Sequence, residues 1–231
     1  MKNALVLGDG KLAQEIVKQS GWPFISRKKD NFDVETLGSF KSHIPKDVNI
    51  IINCIANTET HSTDKDAHWN INYKFVYHLS NYCLMNKIKL IHISTDYVYA
   101  NCKSHPSSEK DIPVHAENWY SYTKLLGDAV IELLLEDFLI CRCTHKERHF
   151  TYESAFIDKI CNYTYTDEAA KMIIDLINKN AVGVYNIGKD PVIVYDHLKK
   201  SNPKILASVT PAGIPKDTSM EIKKMKTTLN L

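Results

Sequence analysis

Tyr120 and Lys124 stand four residues apart in the run Asn118-Trp-Tyr-Ser-Tyr-Thr-Lys124. On a helix this spacing puts both side chains on one face. An ammonium beside a phenol favours the phenolate and draws the tyrosine pKa down from about 10 toward neutral pH. A tyrosine tuned in this way can hand a proton to a carbonyl oxygen while hydride reaches the carbon. The oxygen then needs a further hydroxyl to hold it. Thr95, with Ser94 as the alternative, follows the apolar run 90–93 and supplies one. Tyr122 is a rival proton donor, but it lies two residues from Lys124 and points from a different helix face. A Tyr-x-x-x-Lys spacing by itself also fits a surface pair on any amphipathic helix, so the weight falls on its surroundings.

A hydride requires a donor, and the N-terminus offers a nucleotide site. The apolar run 4–7 ends in Gly8-Asp9-Gly10-Lys11-Leu12-Ala13, and a helical pattern with Leu12, Ile16 and Val17 on one face follows. The segment fits G-x-G-x-x-[GA]. The first glycine permits the tight turn, the second lets a pyrophosphate approach the backbone, and a small third residue lets helix and strand pack closely. The helix start adds free N–H groups and partial positive charge. After the second apolar run, 23–26, the acidic residue that would bind a ribose is missing. Ser26-Arg27-Lys28-Lys29 stands there instead. Arg27 and Lys28 suit a 2′-phosphate, which points to NADPH, with NADH as the alternative.

These residues need a scaffold. Strand patterns appear at 23–26, 48–55, 90–94, 138–141 and 182–188, alternating with helical patterns at 68–86, 119–136 and 167–178. This order predicts an α/β fold, a Rossmann-like doubly wound parallel sheet. The polar stretch 101–118 reads as a loop beside the carboxyl edge of the sheet. Pro191, Pro203, Pro211 and Pro215 make the C-terminal part loop-rich, which predicts a small substrate lobe. The expected division is a dinucleotide-binding core over 1–144 and a small lobe over 145–231 with elements returning to the core.

Composition narrows the class. The chain has 231 residues, 44% hydrophobic and 24% charged, with a formal net charge of +2. A dedicated nucleic-acid binder would carry a basic excess. No apolar run approaches the roughly 20 residues that span a bilayer, and the start lacks the pattern of a signal peptide. The six cysteines, at 54, 83, 102, 141, 143 and 161, form no C-x-x-C pair and suit reduced thiols, so a cytoplasmic protein is expected. Cys141 and Cys143 are expected on opposite sides of their strand. His145 and His149 are four apart, as two metal ligands on a helix would be. They lack the glutamate of H-E-x-x-H and a third ligand, and no metal site is expected.

The run Ser94-Thr-Asp-Tyr-Val-Tyr99, then Pro106, Glu109, Asp111 and Pro113, then Asn118-x-Tyr120-x-x-x-Lys124-x-x-Gly127-Asp128 resembles the extended short-chain dehydrogenase/reductase superfamily. Within it the chain is most similar to the dTDP-4-dehydrorhamnose reductase family, which carries S-T-D-Y-V-F and Y-G-x-[ST]-K-x-x-G-E segments. Residues 48–56 with Asn57-Thr58, Asn72, Cys141-Arg-Cys-Thr144 and the stretch 215–224 resemble further segments of that family. The resemblance implies a reductase of the 4-keto group of a nucleotide-activated 6-deoxysugar. Tyr120 would be the general acid, Lys124 its partner and a ribose ligand, and Thr95 the carbonyl-binding hydroxyl. Gly8, Gly10, Lys11, Leu12, Ala13, Arg27, Lys28, Ala56 and Ser94 would complete the cofactor site. A homodimer built from helices flanking the sheet would also follow.

The chain departs from the family pattern in four places. Its glycine turn is one residue shorter. Ser121 stands where the family has glycine. His145-Lys-Glu-Arg-His149-Phe150 replaces an aromatic stretch. The region between residue 144 and Tyr165 is short, although much of the family's sugar-nucleotide site lies there. Related epimerase/reductases carry a cysteine near the start of the fourth helix. Lys65-Asp66 stands there instead, so reduction without epimerisation is expected. The shortened lobe also admits another class, a dinucleotide-binding regulatory partner without catalysis, or a reductase or epimerase for a different sugar nucleotide.

Overall fold

A computed structural model of the chain describes residues 3–34, 39–114 and 118–231. In chain order the core contains β1 (Ala4–Leu7), α1 (Lys11–Ser20), β2 (Phe24–Ile25), α2 (Arg27–Asp30), β3 (Ile50–Asn53), α3 (Lys65–His68), α4 (Phe75–Asn86), β4 (Lys89–Thr95), α5 (Trp119–Leu134) and β5 (Phe138–Cys143). There follow β6 (Ser154–Phe156), β7 (Ile160–Cys161), α6 (Thr166–Asn178), β8 (Gly183–Ile187), β9 (Val192–Ile193), α7 (Val194–Lys199), β10 (Leu206–Ser208) and α8 (Lys223–Leu229).

The central sheet has the order β2-β1-β3-β4-β5-β8, and every pairing in it is parallel. Such a sheet is covered on both faces, which explains runs such as Ile-Ile-Ile in β3. On one face Val6, Ile52, Ile91 and Leu139 pack with α1, α6 and α8. On the other Leu5, Leu7, Ile51, Leu90 and Ile140 pack with α4 and α5. Cys141 and Cys143 both join the first of these clusters. The expectation that they face opposite sides was wrong, because side chains two apart in a strand share a face.

The strand order reverses beside β1, and ligands in open α/β sheets bind at the carboxyl ends of the strands near such a point. Gly8 follows β1 there with φ +104°, and a Cβ on it would meet Ile55 Cγ1 at 3.1 Å. Only glycine suits both the dihedral and the close approach.

α3 runs into α4 through a π-turn, Trp69–Lys74. Asn72 in that turn is buried and ties two segments together. Its Oδ1 accepts the Asn57 N–H, and its Nδ2 donates to the Asn57 carbonyl and to Thr123 Oγ1. A Cβ on Gly127 of α5 would lie 2.7 Å from the Asn72 carbonyl oxygen, so glycine lets the two helices meet. Outside the sheet, β6 pairs with β10 and β7 with β9, and Ala155, Cys161, Tyr163, Val194, Leu198 and Ile205 form a small separate core beneath them. Among the described residues no helix is long and apolar enough to cross a membrane.

Candidate active site

β4 ends in Ser94-Thr95 and turns at once into a short 3-10 helix, Asp96–Tyr99, with the Thr95 hydroxyl accepting the Tyr97 N–H at 3.2 Å. α5 starts opposite. Asn118 caps it by accepting the Ser121 N–H at 2.7 Å, which sets Tyr120 in the first turn. Ser121, the residue that departs from the family glycine, donates to the Tyr97 carbonyl at 3.0 Å and ties helix to turn. Thr95 stands close enough to Tyr120 to favour its ionised form, while its own hydroxyl proton goes to Asp96 Oδ1. Tyr122 lies elsewhere, between Trp69 and Trp119, with ring centroids 6.4 and 6.0 Å away.

Lys124, one turn further along α5, is buried with 2% exposure. Its Nζ donates to the Ile93 carbonyl at 2.7 Å and lies 3.0 Å from His92 Nε2. Burial brings its pKa down to about 8, with Asp128 opposing. Tyr120 departs from expectation. Its pKa stands above the usual tyrosine value, raised by burial first and also by the Asp96 carboxylate, while Thr95 nearby pulls it back. The lysine does not lower it in the protein alone, and the phenol keeps its proton at neutral pH.

Asp96 is buried with its carboxylate bonded by Thr218 Oγ1 at 2.6 Å and Thr95 Oγ1 at 3.2 Å. Burial raises its pKa, and Lys159 nearby opposes that rise. Beneath Lys124 lies a second buried group. Arg142 Nε donates to Asp128 Oδ2 at 3.0 Å, Arg142 Nη1 to the Tyr99 hydroxyl at 2.7 Å, and Tyr99 in turn to Asn186 Oδ1 at 3.1 Å. Glu109 accepts the Asn186 N–H at 2.9 Å, which fixes the polar loop to β8. His92, Asp96, Asp128, Arg142 and Thr218 were given no role from the sequence. The available signal was polar residues set inside apolar strands, His92 between isoleucines and Arg142 between cysteines.

The N-terminal turn fits a dinucleotide diphosphate. Gly10 occupies the N-cap of α1 without a side-chain cap bond, and the first turn holds no acidic residue. A Cβ on Gly10 would find no atom within 4 Å, so the approach is open. The free N–H groups of that turn and the helix dipole favour an anion. Leu12 and Ala13 turn their side chains into the core, leaving only backbone to a ligand. Lys11 is exposed and pairs with Glu147. Arg27 and Lys28 are exposed on α2 just past β2, capped by Ser26. Ala56 follows β3 and is half-buried. Ser94 Oγ is buried without a hydrogen-bond partner.

His145 and His149 lie in irregular chain, not on a helix. Among the described residues no group of three His, Cys, Asp or Glu could hold a metal ion. Arg148 is engaged by Asp167 at 2.6 Å and Glu168 at 3.4 Å. An open cavity of about 590 Å³ lies at the start of α5, lined by Thr60, His61, Thr63, Trp119 and Tyr122 among others.

Known proteins resemble this chain in sequence and in fold. The chain is 26% identical over 216 residues to the spore coat polysaccharide biosynthesis protein SpsK of Bacillus subtilis, spanning 83% of this chain and 75% of that one. A dTDP-4-dehydrorhamnose reductase of Clostridium acetobutylicum superposes with a TM-score of 0.82 at 21% identity, covering 98% of this chain and 92% of the other. The enzyme of that name from Bacillus anthracis, solved with NADP, gives 0.79 at 20% identity over the same shares. The family described as RmlD substrate binding domain matches residues 2–175. The chain therefore belongs to that family of nicotinamide-dependent sugar-nucleotide oxidoreductases, and it carries the Rossmann-like α/β fold of the dTDP-4-dehydrorhamnose reductases.

Proposed function

We propose that this chain is an NADPH-dependent reductase of the 4-keto group of a nucleotide-activated 6-deoxysugar. The observation that carries it is Tyr120 in the first turn of α5 with Lys124 buried one turn behind and bonded to the Ile93 carbonyl, beside Thr95 at the carboxyl end of β4. Gly8, Gly10, Lys11, Leu12 and Ala13 would hold the diphosphate through backbone N–H groups, and Arg27 with Lys28 the 2′-phosphate. Ala56, Ser94, Tyr120 and Lys124 would line the rest of the cofactor site. The bound dinucleotide supplies the hydride. Thr95 holds the substrate carbonyl oxygen and Tyr120 gives that oxygen its proton. The raised pKa of Tyr120 suits a group that must arrive protonated. Lys124 stabilises the phenolate left behind.

The cavity beside Trp119 and Tyr122 is the natural place for the nucleotide sugar. Lys65-Asp66 at the start of α3 supply no thiol, which fits reduction without epimerisation. The free thiols fit a reducing, cytoplasmic setting. Tyr77, Leu84 and Met85 of α4 and Leu133 of α5 are exposed apolar residues on the helices expected to form a homodimer.

The test is NADPH oxidation with dTDP-, UDP- and GDP-linked 4-keto-6-deoxysugars, with the products identified. Oxidation giving the 4-hydroxy sugar is the expected result. Tight dinucleotide binding with no turnover of any keto sugar would sink the proposal and favour a regulatory role.

A further inference from the structure

His92 occupies the middle of β4 with no exposed surface. Its two ring nitrogens have unlike neighbours. Nδ1 lies 3.1 Å from Asn53 Nδ2, and Nε2 lies 3.0 Å from Lys124 Nζ. Asn53 cannot turn its amide round. Its Oδ1 accepts the Ile55 N–H at 3.1 Å, and the turned amide would set N–H against N–H. Asn53 therefore presents an N–H to His92, and Nδ1 must accept it. A neutral ring then carries its proton on Nε2. That proton is directed at Lys124 Nζ. An amine has a lone pair to receive it and an ammonium has none.

We propose that Asn53 and His92 form a fixed-tautomer pair that donates a hydrogen bond to Lys124 and favours its neutral amine. His92 is thus a positioning residue that sets when Lys124 takes up a proton. This deepens the reductase reading and rests on it, since it assumes Lys124 serves Tyr120. A hydrogen bond donated to the neutral form lowers a lysine pKa, and burial acts in the same direction. The ring itself stays neutral, because burial lowers the His92 pKa and any charge on Lys124 lowers it further.

The other titratable groups facing Lys124 are Asp128 on its own helix, Cys143 of β5 and Cys54 just past β3. Asp128 is held by Arg142, and its free Oδ1 stands 4.0 Å from His92 Nε2, beyond hydrogen-bond distance. The consequence is a lysine held close to its titration midpoint, which negative charge forming on Tyr120 shifts toward the ammonium.

The test reads protonation directly, in the whole protein without added cofactor, by nuclear magnetic resonance. Histidine ¹⁵N shifts report the His92 tautomer, and the Lys124 ¹³Cε shift followed against pH reports its midpoint. In the wild type the proton is expected on Nε2. Asn53→Asp offers His92 only acceptor oxygens, so the proton should move to Nδ1 and Nε2 should become an acceptor. The Lys124 midpoint should then rise by about one pH unit. A carboxylate at position 53 would also act by charge alone. Asn53→Asp made in a His92→Phe background separates the two, because with the ring gone it should leave the Lys124 midpoint where His92→Phe alone puts it.

A wild-type proton on Nδ1 would overturn the proposal, as would a rise of equal size when Asn53→Asp is added to His92→Phe. Should Asn53→Asp fail to fold, the wild-type tautomer decides. The expected shifts in a protein that reduces no keto sugar would overturn the reductase reading alone.

Discussion

The two halves of the cleft are built on opposite terms. On the sheet side, polar and charged groups are buried and held by named partners: Lys124 by Ile93 and His92, Arg142 by Asp128 and Tyr99, Asn186 by Glu109 and Ser107. On the lobe side, short ladders of two and three residues cover a small aromatic core, and the charges stay at the surface, as in the pairing of Arg148 with Asp167. A buried charge is tolerated only with matched partners, so the first half fixes one proton arrangement. Among the described residues the second half holds no fully buried carboxylate, lysine or arginine.

The sharpest way to break this contrast is at the proton donor. Tyr120→Phe should lower kcat by about 10³-fold in NADPH oxidation, within the range for losing a general acid, while dinucleotide affinity measured by fluorescence changes little. Equal turnover in the variant would remove Tyr120 from the mechanism. Arg142→Met leaves Asp128 buried without its partner. It should cost about 3–5 kcal/mol in urea unfolding. A cost like that of a surface pair would mean the buried network is not what holds the sheet side.

Gly127→Ala pushes a methyl to 2.7 Å from the Asn72 carbonyl and should cost about 1–3 kcal/mol, read by the same unfolding curves. Replacing both Arg27 and Lys28 by alanine should reduce the preference for NADPH over NADH about tenfold, measured as the ratio of kcat/KM values. The smallest effect belongs to the lobe. Tyr163 buries a hydroxyl that has no partner, so Tyr163→Phe should leave stability unchanged or raise it by up to about 1 kcal/mol in a thermal melt. A large loss there would show that the lobe is as tightly specified as the core.

Much of the scaffold could be read from residue order. The strands and helices fall close to their expected places because apolar runs and helical periods are local signals. The second strand shrank from 23–26 to Phe24–Ile25, since Ser26 is needed to cap α2. The tyrosine pKa was misjudged because spacing along a helix says nothing about depth. Lys124 turned out to be buried and bonded to β4, and Asp96 came close to Tyr120 from the turn before α5.

What the sequence determined alone was the set of groups joined by short separations: the turn at Gly8 and Gly10, the hydroxyl ending β4, and the four-residue step from Tyr120 to Lys124. Those depend on dihedral preference and helix period, which act over a few residues. Tertiary structure decided the groups that tune them. Asn53 meets His92 across 39 positions, His92 meets Lys124 across 32, and Thr218 reaches Asp96 across 122. Such partners are chosen by strand register and by which side chain finds a donor or acceptor in a dry interior. No local pattern records that outcome.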